Sequence, residues 1–305
     1  GEGERTCACG LAAWANGRES EARDLLTQAL TLSPDLEEAA EALGQLETES
    51  GNAERVISIL SQAIQHDAGY LPLLEARGVA YLWLHDTCRR RRQDPVPALK
   101  ASIADFEELV RRAGTVAGYW CQLGGARATL GTSLAWEQRD VLPLFEAAIH
   151  DYREAIRLDP RNAEAWFRLG IAWANSLSER LPRRCDPDEG FTEAEAALKQ
   201  AARLRPLWAR PHHCLGTLHL TLLLVVKSDS PSAFDIAVAE LTEAIRLDPV
   251  AEEGWISRGD ARFNQALWDI NHQVDPATNF QKSLDDYDSS VNAGGDRLFT
   301  RLSRG

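Results

Sequence analysis

The chain has 305 residues, with 46 Asp and Glu against 33 Lys and Arg and a formal charge of −13. That balance argues against non-specific nucleic-acid binding, which needs many cations on phosphates. No run of 18 uncharged apolar residues occurs. The longest candidate, Leu215 to Val226, is too short to span a bilayer and contains His219 and two threonines.

No basic-then-apolar signal segment opens the sequence, and it contains no Met at all. A processed protein, a trimmed one or a piece of a longer one is therefore expected. Residues 1–68 hold thirteen Asp and Glu against four Arg, a net of −9, and the rest of the chain shares about −4.

Taken in chain order, apolar-periodic segments alternate with helix stops. Ala29-Leu30-Thr31-Leu32-Ser33-Pro34 ends the first unit. Ala155-Ile156-Arg157-Leu158-Asp159-Pro160, Ala201-Ala202-Arg203-Leu204-Arg205-Pro206 and Ala244-Ile245-Arg246-Leu247-Asp248-Pro249 end later ones on the same plan. Proline cannot continue the helical hydrogen-bond ladder, so each is a helix terminus. About ten residues past each stop comes a glycine: Gly44, Gly78, Gly124, Gly170, Gly216 and Gly259, with Gly10 opening the series. Several carry a large residue four positions earlier, as in Trp120 to Gly124, Trp166 to Gly170 and Trp255 to Gly259. A mid-helix glycine costs roughly 1 kcal/mol against alanine. Seven at one phase imply a neighbouring helix that approaches closely, with the large side chain filling the space beside the contact.

The pattern predicts seven helix pairs at 4–33, 37–67, 70–113, 116–159, 162–205, 208–248 and 251–293, and a partial eighth helix over 296–305. Ser303-Arg304-Gly305 copies Ser257-Arg258-Gly259, so the last segment is either a cap or the start of a further unit. From the third pair onward each unit is about twelve residues longer. Breakers lie inside the extra length, at Arg91 to Pro95, Leu181 to Pro187, Lys227 to Pro231 and Val274 to Pro276. Both helices of a pair should therefore lengthen while the loop stays short, with the Asp-Pro and Ser-Pro pairs marking helix starts.

Trp-x-x-x-Gly with a following aromatic, then an Ala-rich helix ending in Pro, resembles the tetratricopeptide repeat. The resemblance covers nearly the whole chain. It is most specific from Trp166 to Pro206 and weakest in the first unit, where Thr6 replaces the large residue. It implies an all-α fold: a single right-handed α-solenoid over residues 1–305, each pair stabilised by stacking on its neighbours. The elongated units resemble those attached to some bacterial serine/threonine kinases and related multidomain proteins.

The family's groove-facing positions are three and two before the glycine and one, four and five after it. Carried over, they include Glu41, Gln45, Glu75, Trp83, Gln122, Arg168, Asn175, His213, Thr217, Ser257, Asp260 and Asn264. This wall lacks the lysine and asparagine set with which some members clamp a C-terminal carboxylate. A protein–protein scaffold that grips a peptide or partner helix is the leading expectation. A filament built head to tail is the alternative, from the acidic front, a basic tip at Arg297, Arg301 and Arg304, a cysteine pair at Cys7 and Cys9, and apolar faces expected at both ends of the stack. A regulatory arm of a signalling kinase is a third reading.

Other chemistry finds little support. His212, His213, Cys214 and His219 invite a metal, but no CxxC or HExxH spacing accompanies them, and His212 and His219 occupy positions where other units place packing aromatics. The arginine groups Arg89 to Arg92 and Arg180, Arg183 and Arg184 read as solvated runs or as contacts for an acidic partner. There is no Gly-rich phosphate loop after a strand and no Gly-x-Ser-x-Gly elbow. Neither a cofactor, a metal, enzymatic activity nor membrane insertion is expected. The six cysteines leave the compartment open; a cytoplasmic setting is favoured over secretion.

Overall fold

The computed structural model describes residues 1–33, 36–49, 53–66, 69–135, 140–180, 187–226 and 232–293. These residues hold fourteen helices and no strand. They divide into two compact units, Gly1–Leu158 and Asp159–Gly305. The first contains α1 (Glu2–Ala15), α2 (Glu19–Leu32), α3 (Glu37–Glu49), α4 (Ala53–His66), α5 (Leu71–Arg90), α6 (Val96–Ala113), α7 (Ala117–Ala135) and α8 (Leu142–Leu158). The second contains α9 (Ala163–Arg180), α10 (Pro187–Leu204), α11 (Ala209–Val226), α12 (Ser232–Leu247), α13 (Glu252–Asn271) and α14 (Ala277–Asn292). Within each unit odd-numbered helices pack on the even-numbered helix that follows, and that helix packs on the next odd-numbered one. The fold class is an all-α helical-repeat solenoid. The segment 296–305 lies outside the described residues.

Helix length follows the sequence spacing. The first four helices have 13 or 14 residues, whereas α5 and α13 reach 20 and α14 still has 16. The connections stay tight because one residue enters the left-handed region: Gly17, Arg92 and Gln273, at φ 72°, 57° and 61°. After α5, the Gln93 N–H donates to the Cys88 carbonyl at 2.8 Å. After α13, the Val274 N–H donates to the Asp269 carbonyl at 2.9 Å. Both are the six-to-one closure that satisfies terminal carbonyls. The expected start signals then operate. Asp94 and Asp275 accept the N–H groups of Val96 and Ala277, each at 3.0 Å. Pro95 and Pro276 already carry helical dihedrals one residue ahead of their helices.

The glycine series is where first and second helices touch. A Cβ on Gly170 would lie 2.6 Å from Leu198 Cγ, and one on Gly216 would lie 2.5 Å from Leu241 Cγ and 3.0 Å from the Ala237 carbonyl oxygen. Gly78 and Gly259 face the rings of Phe106 and Tyr287 in the same way, and Gly124 faces Tyr152. These bulky partners are themselves 0–2% exposed in the cases of Phe106, Tyr152 and Tyr287. The tryptophans four positions earlier do more than fill space. Trp120, Trp166 and Trp255 each donate the indole N–H to a backbone carbonyl six residues upstream, Gly114, Pro160 and Pro249, at 2.8 to 3.0 Å. Each ring thereby ties its helix to the preceding turn.

A polar bridge recurs beside the glycine. Asp105, Asp151 and Asp286, each 27 residues past its glycine, are 0–5% exposed. Arg77 grips Asp105 with two nitrogens (2.9 and 2.6 Å) and reaches Ser61 on α4 at 3.2 Å. Arg127 binds Asp151 and reaches Glu107 on α6 at 2.6 Å. Arg258 binds Asp286 and reaches Thr242 on α12 at 3.1 Å, while Arg262 adds a second cation to Asp286. Ser61, Glu107 and Thr242 all lie 17 residues before the glycine. One arginine thus joins its own second helix to the previous one. Two buried serines complete the pattern, Ser102 and Ser283, donating to the carbonyls of Gly78 and Gly259.

α1 in the first unit and α13 in the second differ in what they turn to solvent. α1 turns Arg5, Ala8, Cys9 and Ala12 to solvent, none of them large and apolar. Only α13 exposes a stripe, Phe263, Leu267 and Ile270, at 38–51%.

Two substitution pairs test these contacts. Gly216→Ala should lower stability by about 1–3 kcal/mol despite its better helix propensity, because the methyl meets backbone as well as Leu241. Gly118→Ala, exposed with nothing within 4 Å, should be neutral or gain up to about 1 kcal/mol. Asp286→Ala leaves two half-buried guanidinium groups without their carboxylate and should cost about 3–5 kcal/mol, whereas the exposed neighbour Asp285→Ala should stay within about 0.5 kcal/mol. Thermal and urea denaturation read all four.

Candidate functional site

The first helices of each unit carry the residues expected on a groove wall. In the first unit these are α1, α3, α5 and α7. Glu41 on α3 accepts from the Tyr70 hydroxyl at 3.4 Å. Burial, followed by the charges of Glu41, Glu37 and Glu38, holds the Tyr70 phenol above its ordinary range. On α5, Glu75 accepts from the Gln122 amide of α7 at 2.8 Å, which joins two residues expected on this wall. Tyr119 is pushed up by burial and by Glu75. Among the described residues no ion pair joins Glu41 or Glu75 to a basic side chain, and both carboxylates stay partly exposed. Trp83, two turns along α5 from Glu75, is 37% exposed. The wall is therefore acidic, hydroxyl-bearing and studded with aromatic rings. The side chain of Gln45 lies outside the described residues.

In the second unit the corresponding residues are largely engaged with one another. Arg168, exposed on α9, pairs with Glu164 at 2.7 Å. Asn175 is half-buried on the same helix. His213 and Ser257 meet across α11 and α13, Nε2 to Oγ at 2.9 Å. Thr217 donates back to the His213 and Cys214 carbonyls. Asp260 turns to its own second helix and accepts from the Tyr287 hydroxyl at 2.7 Å, with burial raising its carboxyl. Asn264 donates to the Asp260 carbonyl. Phe263, four past Gly259, sits in the same register and is exposed; the sequence reading does not single it out, although the register marks its position.

The remaining sequence-derived candidates fall apart as a set. Cys7 is buried and Cys9 exposed, so only the first belongs to the core. Arg297, Arg301 and Arg304 lie outside the described residues, as do Arg183 and Arg184. Arg89 and Arg90 close α5, and Arg91 stands 3.7 Å from Glu54. His212 bonds Glu240 at 2.7 Å, and His219 is 5% exposed against Glu195 and the edge of Phe191. Burial pushes the Cys214 thiol up to about 11, which keeps it protonated and a poor ligand. Among the described residues no group of three His, Cys, Asp or Glu is placed to hold a metal, and no helix is long and apolar enough to cross a membrane.

Residues 145–175, from α8 through most of α9, match the family model described as TPR repeat. No curated protein sequence matches the chain. Among solved structures, a tetratricopeptide repeat protein from Parabacteroides merdae aligns over 100% of this chain and 98% of its own, at 12% identity and a TM-score of 0.63. The C-terminal part of a TPR repeat-containing protein from Cytophaga hutchinsonii aligns over 98% and 99%, at 10% identity and a TM-score of 0.62. At those identities the likeness concerns the fold. Residues 145–175 thus match a TPR repeat, and the chain shares its fold with tetratricopeptide repeat proteins along its length.

Proposed function

We propose that this chain is a protein–protein interaction scaffold, and that the first-helix wall of its first unit grips a segment rich in lysine and arginine. The observation that carries this reading is the pair Glu41 and Glu75, partly exposed carboxylates at the same register position on α3 and α5, bound among the described residues by neutral donors, Tyr70 and Gln122. Opposite charge at such positions steers encounter and sets register. The exposed indole of Trp83 supplies a flat anchor of the kind that dominates interface energies and also accepts a cation over its face. The wall of the second unit is a weaker candidate, since its polar side chains are already paired within the protein.

Titration of the full chain with fluorescent twelve-residue peptides of matched length tests the reading. A Lys/Arg-rich peptide should bind more tightly than a Glu-rich one, and the preference should shrink between low and high salt as the charges are screened. Glu41→Gln with Glu75→Gln should weaken the basic peptide about tenfold, about 1.4 kcal/mol, with helicity unchanged. Equal affinity for the two peptides, or an unaffected double variant, would show that charge at this wall does not select the partner.

A further inference from the structure

Three histidines on one helix each join it to a different neighbour. On α11, His212 Nδ1 stands 2.7 Å from Glu240 of α12, His213 Nε2 is 2.9 Å from Ser257 Oγ of α13, and His219 Nε2 is 3.0 Å from Glu195 of α10. All three are partly or wholly removed from water. We propose that His213 and His219 make α11 a histidine latch, closed at neutral pH, whose protonation at mildly acidic pH loosens the second unit around it and so changes the first-helix face that His213 and Ser257 share.

The groups around each ring set the direction. His213 faces Ser257 and Glu253 from α13 and Arg210 from its own helix. His219 faces Glu195 and Lys199 from α10, Glu240 from α12 and the Phe191 ring. His212 faces Glu240 and lies within electrostatic reach of Glu243, both from α12. Burial is the largest influence on His213 and His219, and it outweighs the neighbouring carboxylates, so both imidazoles are held below their ordinary range. Glu195 already pairs with Lys199 at 2.8 Å, which weakens its pull on His219. A group depressed in the folded state leaves the opened chain as the better proton acceptor. The stability it contributes is fully present above about pH 6.5, the ordinary imidazole value. It is lost as pH falls through the folded value, because protons then favour the opened form. An exposed histidine would do nothing of the kind. The device needs rings withdrawn from water and placed at helix joints, as His213 and His219 are.

Hydrogen exchange of the full chain with side-chain NMR titration of its histidines tests the latch without any binding partner. In the native chain, protection of α11 amides, corrected for the intrinsic pH dependence, should fall about tenfold more between pH 7.5 and 5.5 than protection of α1 to α4. In the double variant His213→Gln, His219→Gln that excess should drop to under about threefold. If the double variant does not fold, His213→Gln alone is read the same way. An excess that persists in the variant, or equal losses in both units, or a His213 ring that titrates at or above about pH 6.5, would overturn the proposal.

Discussion

The protein depends on a side chain that is missing. At Gly78, Gly124, Gly170, Gly216 and Gly259 the first helix of a pair lies so close to a Leu, Phe or Tyr of the second that a methyl group would collide with it. That contact sets the spacing within a pair, and the spacing brings every other recurring contact within reach. A large buried residue then gains dispersion contacts with a bare helix backbone as well as with its neighbours. The cost of glycine in a helix is offset at the same place, so the contact marks both the weakest point of local propensity and the strongest point of packing.

Around this contact the pairs are joined by polar bonds that a sliding apolar interface could not supply. The arginine bridges of Arg77, Arg127 and Arg258 each span two second helices and a first helix. Their carboxylate partners are buried, so an offset by one residue would leave a charge without its counterpart. Dispersion holds the helices together, and the bridges select one register among several that are nearly as well packed. The indole bonds of Trp120, Trp166 and Trp255 extend the same logic to the turns between pairs.

The two units use one plan toward different ends. In the first, glutamates on successive first helices are met by a phenol and an amide and keep their charge facing outward. In the second, the first helices carry His213, Ser257 and Asp260, which are bonded to one another or to a second helix. The first wall keeps partly exposed carboxylates, and the second is braced internally by hydrogen bonds between its own side chains. Repetition of structure does not impose repetition of function, because the outward positions are free of the packing constraint that holds the glycines and alanines.

The sequence by itself determined the helical class, the pairing of helices, the phase of the glycines and the lengthening of the later pairs. All of these follow from local rules of propensity, periodicity and proline stops that act within a few turns of chain. It also placed Glu75 and His213 three residues before their glycines, and Gln122 and Ser257 two residues before theirs. Only the tertiary structure decided that Glu75 meets Gln122, that His213 meets Ser257, that Asp260 turns inward to Tyr287, that Cys7 and Cys9 part company, and that α1 faces water without an apolar stripe. The arginine bridges were equally hidden, since their partners lie 17 residues before and 27 residues after a glycine and on separate helices. A helical repeat tells each residue which way it points. What it meets there depends on the neighbouring helix, and that information is carried by residues a whole repeat away.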